Sequence, residues 1–431
     1  MAIDISHNKP LPNWEELLQV AQQNTTAKWI LRTAQSPSTT TISSYLDRLN
    51  PGEKPSVLLY RDTNAWCPFC ERVWLALEEK QIPFEVELIN LRDKPEWYTD
   101  MVPTGLVPAV KIEGELVYES KDILLALENK FDSFPLLPRE PQEISVALEM
   151  IENFDNNGLI QAGYRFLSNS QFNSQQNTEM TPEEKEAQLL NLQTTFETKL
   201  EQFEERLGQY PGVYLMHEFS LVDIIYTPGL RRLAANLPIF RGYSIYNNDR
   251  FPRTNQWLIA IDQRHAYQRV KPNARTNNLV MQKIFRLQSI YNSKPEPQVE
   301  FASLEKDYRM EAAGRLSSNY QTVVADILKN SGIKTWVSQK SLPKIESVID
   351  VYLRGLVYYL IEGSIPSFSA RAVDAQTEQQ NEVKEKTSAD AAIGAIALAF
   401  LRNRVCVPRD MSANAAVAFQ TAIDTMLSCI Y

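Results

Sequence analysis

Five residues, Trp66-Cys67-Pro68-Phe69-Cys70, constrain this chain more than any other stretch. They follow a short apolar run, Ser56 to Tyr60, that reads as a strand. They open an amphipathic helix with Val73, Trp74 and Leu77 on one face. A Cys-X-X-Cys between strand and helix is a redox signature. The first cysteine meets free backbone N–H groups and the positive end of the helix dipole, so its thiolate is favoured and its pKa falls. Cys70 lies one turn further on, close enough to attack a mixed disulfide formed on Cys67. The expectation is a thiol-dependent enzyme with Cys67 as nucleophile and Cys70 as the second thiol of the catalytic pair, which either opens a dithiol route or only tunes Cys67.

Blander readings compete with this one. Zinc would need a second ligand pair, but Cys406 and Cys429 are isolated and the histidines (His7, His217, His265) lack ligand spacing. No metal is therefore expected. A structural disulfide fits poorly with four cysteines in 431 residues. Two buried, inert thiols remain the alternative, and the strand–turn–helix context favours redox chemistry over it.

The net charge of −9 comes without a dense Lys/Arg block, which argues against nucleic acid and against an anionic membrane surface. The first residues carry no basic and then apolar run of a secretory signal, and no apolar run approaches the roughly 18 residues of a membrane span. Only 14 glycines occur, with no P-loop or dinucleotide fingerprint. The reading is a soluble, cytoplasmic protein of a reducing compartment.

A chain this long exceeds what one core serves. The fold class expected is α/β plus all-α. Residues 1–55 read as an N-terminal arm, with a helix from Asn13 to Gln23, a Ser/Thr-rich piece from Ser36 to Ser44 and a turn at Asn50-Pro51-Gly52. Residues 56–137 run strand, helix, strand (Phe84–Ile89), short helix near Pro95–Asp100, strand to Ile112, Glu113-Gly114 turn, strand Glu115–Tyr118 and a helix from about Ser120 to Phe131. That order is a thioredoxin-like unit. Three prolines in Pro135 to Pro141 make a stiff linker. Residues 138–292 form a helical domain with periodic segments at 143–168, 182–207, 221–236 and 253–264, and Ser220 with Asp223 reads as a structural capping box. After Pro295-Glu296-Pro297, residues 298–431 form a mainly helical extension. In it a helix runs from Ser341-Leu342-Pro343 to Gly363, 371–390 is polar, and Ala391–Phe400 is apolar enough to be fully buried.

Four ordered motifs carry a resemblance: Cys67-Pro68-Phe69-Cys70, Ile89 to Trp97, Gly105-Leu106-Val107-Pro108-Ala109-Val110 and Tyr118-Glu119-Ser120. Over about 56–290 the chain resembles cytosolic glutathione transferases, nearest the cysteine-active omega-like and lambda-like classes. With its C-terminal extension it looks like the iota class. The resemblance implies that residues 56–137 bind glutathione as cosubstrate and 138–292 form the transferase helical domain. It implies a cis Pro108 that turns Val107 N–H and C=O toward the cysteinyl unit, Glu119 for the γ-glutamyl ammonium and Ser120 for its carboxylate. Lys94 would meet the glycyl carboxylate and Phe69 would line the sulfur pocket. A cysteine at the helix start implies thiol transfer rather than conjugation: deglutathionylation, disulfide reduction or dehydroascorbate reduction.

The expected function is thus a glutathione-dependent thiol transferase or reductase. Its second substrate would be a small electrophilic, disulfide or apolar molecule, and its partner a second copy or another protein held through the extension. The competing reading is a non-catalytic ligand-binding or assembly protein. In it Tyr164, Phe166, Tyr226 and Trp257 line an apolar pocket, although core packing is the commoner role for each. Cys406 reads as a buried structural thiol.

Overall fold

The computed structural model describes residues 11–24, 53–168, 180–284, 287, 301–333, 342–366 and 380–430. The chain divides into two compact units, one of 40–295 and one joining 1–39 to 296–431. The Ser36–Ser44 piece, the Asn50-Pro51-Gly52 turn, Pro295-Glu296-Pro297 and the Ser341 cap lie outside the described residues.

The first helix, α1 (Trp14–Gln23), starts as its sequence implies. Asn13 Oδ1 accepts from Glu16 N–H and Glu16 accepts from Asn13 N–H, each at 2.9 Å. It belongs to the second unit.

In the 40–295 unit, β1 (Val57–Asp62), β2 (Phe84–Ile89), β3 (Ala109–Ile112) and β4 (Glu115–Tyr118) form one sheet in the order β2-β1-β3-β4. β1 runs parallel to β2, with Val57 opposite Phe84 and Asp62 opposite Ile89, while β3 is antiparallel to β1 and β4. Glu113 and Gly114, at φ 52° and 92°, close the β3–β4 hairpin. The connecting helices are α2 (Pro68–Glu79), α3 (Glu96–Met101) and α4 (Ser120–Lys130). This is the thioredoxin-like arrangement. Every residue of α2 from Cys70 to Glu78 is buried.

The proline linker is pinned where it leaves α4. Glu128 accepts from Leu136 and Leu137 N–H at 2.8 and 3.0 Å and pairs with buried Lys80 at 2.7 Å. The helical part then runs α5 (Pro141–Glu152), α6 (Phe154–Asn157), α7 (Leu159–Ser168), α8 (Pro182–Leu207), α9 (Leu221–Arg241), α10 (Pro252–Gln263), α11 (His265–Val270) and α12 (Ala274–Ile284). The periodic stretch 143–168 is not one helix: it breaks at Asn153, the C-cap of α5, and again at Gly158, which adopts φ 75°. α9 continues past 236 through Pro228 and Pro238, because packing around an almost wholly buried helix outweighs two missing donors. α7 and α9 cross closely at glycines. A Cβ on Gly163 would stand 2.3 Å from Leu233 Cδ1, and one on Gly229 2.6 Å from Ile160 Cδ1. Buried Asp223 accepts from Ser220 N–H, Leu215 N–H and Trp257 Nε1–H at 3.0, 3.1 and 2.8 Å, the structural role its sequence suggests. Trp257, Phe166 and Tyr226 are buried in the core and Tyr164 packs against it, so the first three do not line a pocket.

The second unit gathers α1 with α13 (Lys306–Asn330), α14 (Leu342–Glu362), α15 (Gln380–Arg404) and α16 (Ala413–Ile430). Leu17 and Ala21 are buried among Met310, Leu316, Ile349, Leu353 and Phe419. Trp14 stacks on Tyr320 at 4.5 Å and donates to Asp350 at 2.6 Å. Arg354 pairs with Asp350 and donates to the Leu11 and Pro12 carbonyls. Gly363, at φ 76°, ends α14 as expected. Ala391–Phe400 is not fully buried: Gly394, Ala395, Ala397 and Leu398 face inward while Ala392 and Ile396 are exposed, as one-sided helix packing dictates. Cys406 is buried, and its N–H donates to Asp410 at 2.8 Å.

Leu17→Ala should destabilise this unit by about 2–5 kcal/mol, the range for truncating a buried leucine. Hydrogen exchange followed by mass spectrometry should quicken in peptides from α13 and α14 and stay unchanged across 57–130. Equal quickening everywhere, or none, would contradict the packing of α1.

Candidate active site

β1 ends at Asp62, whose carboxylate accepts from Trp66 N–H at 2.7 Å and Cys67 N–H at 3.3 Å. The turn between passes through Ala65 at φ 56°. Cys67 is thereby held extended, at φ −70° and ψ 118°, immediately before α2, with Pro68 in the first helical turn. No side-chain oxygen caps α2, so the cysteine occupies the place of an N-cap.

The two thiols live in opposite surroundings. The hydrogen bond from the Cys70 side chain, joined by the backbone N–H groups of Cys70 and Phe69, holds the Cys67 thiol below its ordinary value despite burial. Cys70 is 2% exposed, and burial pushes its thiol well up. Cys67 is half-buried and remains reachable.

Cys67 Sγ lies 3.8 Å from the Val107 carbonyl oxygen, just before the cis Val107–Pro108 peptide. The loop carrying Val107 is tied at both neighbours. Lys94 Nζ donates to the Gly105 carbonyl at 2.7 Å and Tyr98 Oη to the Leu106 carbonyl at 2.6 Å. Ser120 is the buried first residue of α4, and its Oγ accepts from Arg72 Nη1 at 3.3 Å. Exposed Glu119 precedes it at φ 67°, ψ 125°, a costly backbone for a residue with a Cβ. Arg72 also donates to the Ile225 carbonyl and lies 5.0 Å from the half-exposed Phe69 ring and 4.7 Å from Phe154. Cys67 and Val107 thus meet directly, Phe69 and Ser120 are bridged by Arg72, and Lys94 is engaged with the loop backbone.

Sequence reading missed Asp62, Arg72 and Arg232. Arg232, on α9, pairs with buried Glu71 at 2.6 Å and donates to the Trp66 carbonyl at 3.2 Å, so it joins the residue before Cys67 to the helical part. The available signal was small: an acid closing an apolar strand, and Glu71-Arg72 among apolar neighbours directly after Cys70.

The model of the glutathione S-transferase N-terminal domain matches residues 66–130. A pyrimidodiazepine synthase of Drosophila melanogaster is 30% identical over 199 residues, covering 45% of this chain and 72% of that protein. Glutathione S-transferase DHAR2 of Arabidopsis thaliana is 28% identical over 206 residues, 48% of this chain and 84% of that one. The chain belongs to the glutathione transferase family. Within the family it lies with the cysteine-active members. Glutathione S-transferase omega-1 of Sus scrofa is 38% identical over 94 residues, 22% of this chain and 39% of the relative.

Two outcomes follow from the geometry. Alkylation of Cys67 by iodoacetamide, followed against pH, should titrate below the ordinary cysteine value of about 8.5. Cys70→Ala should move that midpoint upward, because the largest contribution lowering it is lost. A midpoint that stays or falls refutes the assignment. Arg232→Met should cost about 3–5 kcal/mol in urea denaturation, since it leaves Glu71 buried without its partner, and adding Glu71→Leu should recover most of the loss.

Proposed function

We propose that the protein is a glutathione-dependent thiol transferase or reductase in which Cys67 is the nucleophile. The observation that carries this is a reachable thiol with lowered pKa at a helix N-terminus, 3.8 Å from the Val107 carbonyl. Cys67 thiolate attacks the sulfur of a glutathionylated acceptor. The S–S bond breaks, the acceptor leaves as a thiolate and takes up a proton, and glutathione is left in mixed disulfide with Cys67. A second glutathione, or Cys70, then releases it. The relatives named glutathione S-transferase DHAR2 and glutathione S-transferase omega-1 support a glutathione-dependent transferase, and the cysteine at the helix start favours glutathionylated thiols, disulfides or dehydroascorbate above conjugation.

In this reading glutathione lies along the Val107 backbone like an added strand. Ser120 and the N–H groups opening α4 would take the γ-glutamyl carboxylate, with Glu119 for its ammonium. Buried Arg72, beside Ser120 Oγ, adds positive charge on that side. Lys94 would reach the glycyl carboxylate by leaving the Gly105 carbonyl or by sharing its donors. Phe69 offers an apolar wall beside the sulfur, and Pro108 fixes the turn. Such chemistry needs a reducing setting like the cytoplasm. No helix among the described residues is long and apolar enough to cross a membrane. The added C-terminal helices support the iota-class reading.

Intact mass after treatment with oxidised glutathione tests the proposal. Wild type should take one glutathione on Cys67 or form a Cys67–Cys70 disulfide, and Cys67→Ser should do neither. Thiol transfer by Cys67→Ser should fall on the order of a hundredfold or more. Activity that survives the substitution would point to conjugation instead.

A further inference from the structure

We propose that Asp62 is the proton acceptor for Cys70 when Cys70 displaces glutathione from Cys67. The inference rests on Cys67 being the nucleophile, as above. A carboxylate oxygen of Asp62 and the sulfurs of Cys67 and Cys70 lie within 4.8 Å of one another. Asp62 is 2% exposed and Cys70 likewise, so bulk water and buffer have poor access to the Cys70 proton. Hydrogen bonds from Trp66 and Cys67 N–H fix the carboxylate at the end of β1. That separation suits transfer through one bridging water or a shortening of the contact as the disulfide forms.

The need for an acceptor is chemical. Burial raises the Cys70 thiol, so little thiolate is present to attack at neutral pH. With a base beside it, the step balances. The Cys70 sulfur bonds to Cys67 and is oxidised, the Cys67–glutathione bond breaks, and glutathione is reduced and leaves as a thiolate. The Cys70 proton passes to the Asp62 carboxylate and from there to the departing thiolate. The other titratable groups whose fields reach these thiols are Arg61 on β1, Arg72 on α2 and Tyr98 on α3. Arg61 Nη1 is engaged with the Asp62 carbonyl at 2.9 Å. Tyr98 has its ionisation pushed up by burial, and Arg72 is a cation, so neither is a base near neutral pH.

The test is a single turnover of the full-length protein. Reduced enzyme is mixed with oxidised glutathione, quenched in acid at intervals, and the Cys67 adduct and the internal disulfide are followed by intact mass. In wild type the adduct should decay at a rate that changes less than about threefold between pH 6.5 and 8.5. In Asp62→Asn the decay at neutral pH should fall at least about tenfold, then rise about tenfold per pH unit as hydroxide replaces the base, and Asp62→Glu should restore part of the flat profile. A loss by the same factor at every pH would assign Asp62 to holding the turn and overturn the proposal, as would no loss. The wild-type profile decides without any variant: a tenfold rise per unit means that no internal acceptor exists. An adduct that forms and persists in wild type sinks this inference and spares the reading of Cys67. Absence of any adduct on Cys67 sinks both.

Discussion

Everything at this site depends on how helix α2 is seated. It is buried on nearly every side between the sheet and the helical part of its unit, yet it carries three glutamates along its length. Each is matched by an arginine from the helical part: Glu71 with Arg232 at 2.6 Å, Glu78 with Arg269 at 2.7 Å and Glu79 with Arg264 at 2.6 Å. Desolvating such pairs consumes much of their Coulombic attraction, so they add little net stability over apolar packing. Their value is directional. A helix held by packing alone could rotate or slide by a fraction of a turn. One held at its first turn and its last cannot do so without stranding a buried charge. Because Arg232 also grips the Trp66 carbonyl, that restraint reaches the backbone one residue before Cys67.

The same seating makes two chemically identical side chains behave differently. One helical turn moves a thiol from the half-exposed N-terminus, where backbone N–H groups point outward, to a position under the sheet. Proximity couples them, since the Cys70 thiol donates to the Cys67 sulfur, so the proton the pair retains resides on the buried partner. A helix start alone would lower the first thiol; the second one deepens the effect and keeps a proton in reserve.

Much of this was legible in the chain. The strands Phe84–Ile89 and Glu115–Tyr118 occur at the bounds their alternation and flanking turns imply. The Cys-X-X-Cys placement needed only local rules. What escaped reading was of two kinds. Gly158 stops a helix inside a continuous 3.6-residue pattern, because periodicity records which residues face the core and not whether the backbone stays helical. Glu71, Arg72 and Arg232 drew no reading at all, since their burial depends on partners far away in sequence. Asp62 carried even less signal: only the fold of the turn after β1 reveals that its carboxylate faces two sulfurs.

The second unit poses a different question, because it is assembled from both ends of the sequence. Trp14 and Asp350 are hydrogen-bonded across 336 positions. The entropy of closing a loop grows only with the logarithm of its length, at roughly 0.6 kcal/mol per doubling. Going from a connection of about 20 residues to one of this span is about four doublings, hence roughly 2–3 kcal/mol. Burying Leu17 completely returns about 1.5–3 kcal/mol on its own. Ala21, the Trp14–Tyr320 stack and the bonds from Arg354 to the Leu11 and Pro12 carbonyls come in addition. An insertion as long as the whole transferase region therefore leaves α1 enough attraction to find the extension. No special device is needed to explain why α1 completes the core formed by α13 to α16.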